Sequence, residues 1–334
     1  MFQRILVPLD GSVRAEHAIL IAKRIARATG GAIILLRIVP PRLDHTPSLI
    51  VPSPFKEELL QDTLAQVSSY LADVVSSTIG EEIKTEIHAL SGIPMHGILT
   101  FAQKNKIDLI VLCSHGYTGF KRWALGSVAQ HIVRHSAVPL LLVREGGPQP
   151  ATQLADASHP LRALVALDGS SLAEATLVPT IHLAAALSAP RSGEVHLLSV
   201  VTPPTKPQEL LDEVELQDRA LHASATYLNL LADELSMTLA TELGVKIITS
   251  VTMSDDVADT LIREAELGEE SGAFQAYDLL ALATHGRSGL ERWMMGSITE
   301  WVLHGSKLPL LIVRPQRQQT HTYGEIKEQV AGKR

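Results

Sequence analysis

The chain is nearly without cysteine: Cys113 stands alone among 334 residues. A single thiol forms no disulfide within the chain and no thiolate cage for a metal, and such sparing use suits a reducing, cytoplasmic setting. Aromatic residues are equally scarce, at 4%. The 46% of hydrophobic residues must therefore build cores from Leu, Ile, Val and Ala, which suits strands covered on both faces by helices. The formal net charge is -7 and there is no basic block. The clustered cations that hold a phosphate backbone are missing, so nucleic acid is not an expected partner. No apolar run approaches the ~18 residues that span a bilayer. The opening stretch, interrupted by Pro8 and Asp10, lacks the long apolar core and cleavage site of a secretory signal. No membrane partner is expected, and the expected location is the cytoplasm. The G-x-x-x-x-G-K-[ST] and G-x-G-x-x-G phosphate loops and the H-E-x-x-H zinc motif do not occur, so neither a standard P-loop hydrolase, a dinucleotide dehydrogenase nor a metal centre is indicated.

What is present is a repeat. Arg4-Ile-Leu-Val-Pro8-Leu9-Asp10-Gly-Ser12 matches Arg162-Ala-Leu-Val-Ala166-Leu167-Asp168-Gly-Ser170, and residues 115–144 align without a gap on 285–314. The second match pairs Gly116 with Gly286, Arg122 with Arg292, Trp123 with Trp293, Gly126 with Gly296, Ser127 with Ser297 and Arg144 with Arg314. A whole domain is duplicated, not a short solenoid unit. The expected division is a first domain over 1–145, a linker over 146–160 rich in Gly and Pro, a second domain over 161–315 and a polar tail over 316–334.

Each copy alternates strand and helix. In the first, strands are expected near 5–9, 32–39, 83–90, 109–113 and 140–143, and helices near 13–28, 55–78, 95–103 and 127–135. Residues 40–54 hold five prolines and read as an irregular loop. The second copy repeats this order, with helices near 172–187, 209–240, 257–265 and 298–303. Alternation of this kind predicts an α/β fold: two tandem flavodoxin-like or Rossmann-like domains, each a five-stranded, mostly parallel sheet with helices on both faces.

In such a sheet a ligand lies beyond the carboxyl ends of the strands, where strand order reverses. The first strand of each copy ends at Asp10 or Asp168, and the fourth at Cys113-Ser-His115-Gly116 or Ala283-Thr-His285-Gly286. Nine residues later Gly126-Ser127 or Gly296-Ser297 opens a helix. Glycine admits close approach and positive φ, a helix start offers unpaired N–H groups to an anion, and Ser adds a hydroxyl. Asp10 and Asp168 are placed to accept hydrogen bonds from ribose hydroxyls. The plainer readings are a turn and N-cap for Asp-Gly-Ser, and a simple helix cap for Gly-Ser.

These motifs resemble those of the universal stress proteins. The nucleotide-binding branch of that family carries G-x-x-G-x9-G-[ST]. Here the pattern reads Cys113-Ser-His-Gly116-x9-Gly126-Ser127 and Ala283-Thr-His-Gly286-x9-Gly296-Ser297, with Cys113 and Ala283 in place of the first glycine. The resemblance implies an adenine nucleotide, ATP or AMP, as ligand, with Mg2+ accompanying ATP. It implies adenine recognition near Ile38 and Val200 and an acidic contact at Asp10 or Asp168. Strand-end contacts follow at Pro8-Leu9 and Ala166-Leu167, loop contacts at His115 and His285, and phosphate N–H groups at Val128-Ala129 and Ile298-Thr299. It further implies that the last strands associate the two copies as an intramolecular pseudo-dimer. The sequence leaves a homodimer of the whole chain open, and an unidentified protein partner that reads the bound state is the expected listener.

Two alternatives stay open. One is a slow ATPase or nucleotidyl-transfer enzyme, for which no catalytic base beyond Asp10 and Asp168 is in place. The other is an interaction module that binds no nucleotide. His115 and His285 read as loop residues bonded to local backbone ahead of general bases. Cys113 reads as a small buried hydrophobe ahead of a redox thiol. Arg122 and Arg292 are either solvated or placed for distal phosphates.

Overall fold

The computed structural model describes residues 1–40, 53–114, 125–144, 154–156, 158–203, 210–268, 276–284 and 295–315. The chain divides into two compact units, Met1–Gly146 with Pro150–Asp156, and Gly147–Gln149 with Ala157–Arg334.

In the first unit, Arg4–Pro8 (β1) leads through Asp10-Gly11-Ser12 into the helix Val13–Thr29 (α1). Ser12 caps that helix by accepting from the Ala15 N–H at 3.2 Å. Gly30 ends it in the left-handed region at φ 67, where a side chain would be strained. Ala32–Val39 (β2), Thr85–Ser91 (β3), Leu109–Cys113 (β4) and Leu140–Val143 (β5) complete the sheet. The connecting helices are Ser53–Val74 (α2), Pro94–Lys104 (α3) and Ser127–His135 (α4). A π turn, Val75–Ile79, extends α2, closed by the Gly80 N–H on the Val75 carbonyl. Residues 41–52 of the proline-rich loop lie outside the described residues.

The strand order is β3-β2-β1-β4-β5, and the pairs β1–β2, β1–β4, β2–β3 and β4–β5 are all parallel. Of the two expected topologies this is the Rossmann type, 3-2-1-4-5, and not the flavodoxin order 2-1-3-4-5. The chain runs outward from β1 to β3, then returns to β4 on the other side of β1. The reversal point is the gap between β1 and β4. The three central residues of β1 and all of β4 and β5 are buried, nearly all of them Leu, Ile or Val, as parallel strands covered on both faces must be.

The second unit repeats the plan with Arg162–Ala166 (β6), Gly193–Val201 (β7), Val245–Met253 (β8), Leu279–Ala283 (β9) and Leu310–Val313 (β10). Its order is β8-β7-β6-β9-β10, again parallel throughout. The helix expected near 172–187 is broken into Ser171–Glu174 (α5) and Leu177–Ser188 (α6). Pro179 has no N–H to give the Ala175 carbonyl, and the ladder lapses there. The following helices are Leu210–Met237 (α7), Leu239–Glu242 (α8), Val257–Leu267 (α9) and Ser297–Gly305 (α10). Among the described residues one segment, Ser171–Ser188, is long and apolar enough to cross a membrane, which corrects the expectation that none approaches that length. With 61% of it buried inside the protein, its apolar character is that of a core helix.

Candidate functional site

Each unit carries a cavity at the carboxyl end of its sheet, over the reversal point. In the first unit it measures about 330 Å3, and Asp10, Ile38, Cys113, Gly126, Ser127 and Val128 are among its walls. Pro8, Leu9 and Ala129 line it as well. In the second it measures about 210 Å3 and is lined by Ala166, Leu167, Asp168, Val200, Ala283 and Gly296 through Thr299. Eighteen of the 22 residues singled out from the sequence therefore face one or other cavity. The remaining four, His115, Gly116, His285 and Gly286, lie outside the described residues, as do Arg122, Trp123, Arg292 and Trp293.

The Asp-Gly-Ser corner is built the same way twice. Asp10 Oδ1 accepts from the Ser12 N–H at 2.9 Å and its hydroxyl at 2.6 Å. Asp168 Oδ1 accepts from Ser170 at 3.0 and 2.6 Å. Gly11 and Gly169 hold φ values of 90 and 80, so glycine is required between them. One carboxylate oxygen is thus a structural acceptor that fixes the turn, and the same group is presented at the cavity wall. The turn reading and the ligand reading of this motif describe one residue.

The helix starts behave differently. α1 and α5 are capped by serine side chains, whereas α4 and α10 begin at Gly126 and Gly296 with no side-chain cap. The first-turn N–H groups of α4 and α10 are therefore left for another acceptor. Gly126 and Gly296 sit at φ -63 and -59, so positive φ is not what calls for glycine there. Close approach is: a Cβ would lie 3.3 Å from the Ser114 carbonyl and 3.4 Å from that of Thr284. Those carbonyls accept from the Gly126 and Gly296 N–H groups at 2.9 Å, tying each helix start to the end of the fourth strand. In the second unit the Thr299 hydroxyl adds a bond to the Ala283 carbonyl at 2.8 Å.

The expected base-recognition positions also show a paired adjustment. A Cβ on Gly97 would fall 2.4 Å from Ile38 Cδ1. The fourth residue of the matching helix is Thr260, and the shorter Val200 stands where Ile38 does. Gly with Ile in one copy and Thr with Val in the other fill similar space.

Three features escaped the sequence reading. Arg37 lines the first cavity and lies over the Tyr70 ring, 5.0 Å from its centre. Tyr70 in turn donates to Glu16 at 2.6 Å, and burial together with Glu16 pushes its pKa up. The lone Arg in the apolar run Ala32–Val39 was the available signal. Second, Asp108 and Asp278 accept from the Arg4 and Arg162 N–H groups at 3.0 and 2.8 Å, pinning the opposite ends of the sheets. Third, Arg144 closes β5 while 5% exposed, and burial lowers its pKa to about 10. Among the described residues no group of three His, Cys, Asp or Glu side chains is arranged to hold a metal ion.

The universal stress protein family model matches residues 1–144 and again 161–314, the two duplicated Rossmann units. The chain belongs to the universal stress protein family, as a tandem of two of its domains. A universal stress protein of Mycolicibacterium smegmatis is 26% identical over 322 residues, covering 93% of this chain and 97% of its own length. One from Methanocaldococcus jannaschii is 32% identical over 151 residues, 43% of this chain and 84% of that protein. Among solved structures, a universal stress protein from Archaeoglobus fulgidus superimposes with a TM-score of 0.59 at 17% identity, covering 94% of this chain and 97% of the other. That likeness speaks for the fold.

Proposed function

We propose that each unit holds one adenine nucleotide, ATP or AMP, and that the chain serves as a nucleotide-dependent regulatory module in a stress response. The observation that carries this reading is the coincidence, in both units, of three elements around one cavity. These are a carboxylate fixed at the end of the first strand, an apolar second-strand end at Ile38 or Val200, and an uncapped helix start at Gly126-Ser127 or Gly296-Ser297. Ribose hydroxyls pair with the carboxylate, the base packs against the apolar strand end, and phosphate takes the helix amides. ATP brings Mg2+ with it, held through phosphate and water, since Mg2+ needs few protein ligands. The first cavity matches the lower end of the ~300–1,000 Å3 range of small-molecule sites.

Signalling requires that nucleotide bind two states of the protein unequally. A protein partner would read the difference between those two states. Titration calorimetry of the whole chain with ATP and AMP tests the reading. Two sites per chain are expected. Gly126→Val and Gly296→Val, which drive a branched side chain toward a carbonyl already 3.3 or 3.4 Å from the Cβ position, should each remove one site while circular dichroism is unchanged. Absence of heat at millimolar nucleotide would leave an interaction module. Steady phosphate release lost on replacing Asp10 and Asp168 would make the protein an enzyme.

A further inference from the structure

Among the described residues that line them, the two cavities differ in one charge. Leu36 pairs with Pro8 and Leu198 with Ala166, so Arg37 and Ser199 occupy the same place in their sheets. The Arg37 guanidinium is held in two ways. It stacks on Tyr70, and its terminal nitrogens lie 2.6 and 2.7 Å from where a Cβ on Gly11 would be. Gly11 follows Asp10 directly and both Asp10 and Arg37 line the cavity, so the cation stands over the turn that carries the carboxylate. The second unit keeps the rest of this platform: Tyr227 donates to Glu174 at 2.9 Å, Gly169 holds φ 80, and Asp168 is bonded to Ser170. Among the described residues the cation has no counterpart there, and a buried serine stands in its place.

A ribose with free hydroxyls needs a carboxylate acceptor and no cation. A phosphate ester on that ribose would sit against Asp10 and be repelled unless a positive group stood next to it. Guanidinium offers a planar fork of donors that matches phosphate and keeps its charge at every working pH. In dinucleotide folds an Arg near the ribose serves a 2′-phosphate in this way. We infer that Arg37 makes the first unit selective for an adenine nucleotide bearing a second phosphate on its ribose, while the second unit takes the unmodified ribose. This rests on the nucleotide reading above.

Calorimetry on the full chain with AMP and with adenosine 2′,5′- and 3′,5′-bisphosphate tests it. One site per chain should prefer a bisphosphate by ~tenfold or more, the worth of one charge-assisted hydrogen bond. Arg37→Ser should abolish that preference, bringing the bisphosphate-to-AMP affinity ratio of that site down to that of the second unit. Ser199→Arg, which places the cation on the platform already present, should create the preference at a second site, and it tests the idea even if Arg37→Ser folds poorly. If AMP binds but the bisphosphates bind no better, the selectivity is refuted and the nucleotide reading stands. If none of them binds, and ATP does not, both fall. If Arg37→Ser lowers stability without moving the bisphosphate-to-AMP ratio, the side chain only packs against Tyr70 and the inference is wrong.

Discussion

Asp10 and Asp168 hold their turns with hydrogen bonds that agree within 0.1 Å, and Ser12 and Ser170 cap the next helices at the same 3.2 Å. Behind those turns the two interiors have gone separate ways. Where the first unit buries Ile34 and Ile107, the second buries His196 and Tyr277. His196 Nδ1 is bonded to the Tyr277 hydroxyl and Nε2 to the Ser250 hydroxyl at 2.7 Å, and Arg162 lies 4.7 Å above the Tyr277 ring. Glu264 is buried nearby, 1% exposed, at the helix position that Phe101 fills in the first unit. Burial lowers the His196 pKa to about 4, against the pull of Glu264 and Glu194. A strand interior accepts an apolar pair or a polar network, provided every polar atom finds a partner. The turn has no such freedom, because its φ values and its acceptor geometry leave a single solution.

The contrast can be broken most forcefully at Tyr277. Tyr277→Ala should cost about 3–5 kcal/mol through the cavity it leaves and the partner it takes from His196. The loss should be seen in urea unfolding, and by hydrogen exchange it should be concentrated in peptides from residues 162–166, 193–201 and 279–283. Equal loss of protection in first-unit peptides would mean that the interiors are not energetically separate.

Acid should act on the same unit. In the folded protein His196 stays neutral down to about pH 4, while in the unfolded chain it takes a proton near the ordinary histidine value of 6.5. Its contribution is therefore fully present above pH 6.5 and is lost as pH falls toward 4. The difference amounts to roughly 3 kcal/mol at 1.36 kcal/mol per pKa unit. Hydrogen exchange at pH 7 and pH 4.5, corrected for intrinsic rates, should show second-unit strands losing more protection than first-unit strands, where Ile34 has nothing to titrate. His196→Ile, the first unit's residue, should flatten that difference whatever it does to overall stability.

The smallest effects should come from the caps, and there the units should agree. Ser12→Ala and Ser170→Ala each remove one bond to a helix N–H and one donor to an aspartate. Each should cost about 1 kcal/mol, within the 0.5–2 kcal/mol of other caps. Thermal unfolding that separates the two variants by much more would show that the shared turn carries different loads in the two units.

Much of the fold was legible in the residues themselves. The matched Asp-Gly-Ser corners revealed the duplication, and strand-helix alternation predicted a parallel sheet. The capping serines and Gly30 stood where a helix must start and stop, since those signals are local and follow from backbone sterics. The cavity end was legible too, because strand ends in a parallel sheet converge by topology. The role of Gly126 was only half read: its position was right, but the demand is a nearby carbonyl and not a positive φ. Arg37 was overlooked because its meaning depends on Tyr70, 33 positions away in sequence.

By itself the sequence determined that two α/β units follow one another and that each brings an acidic turn and a Gly-Ser helix start to the same end of its sheet. Period, capping and repetition are properties of neighbouring residues. Tertiary structure alone decided the Rossmann order of the strands, the polar core around His196 and the cation over Gly11. Each of these is settled by contact between residues far apart in the chain, where space and hydrogen-bond partners, not local preference, determine what fits.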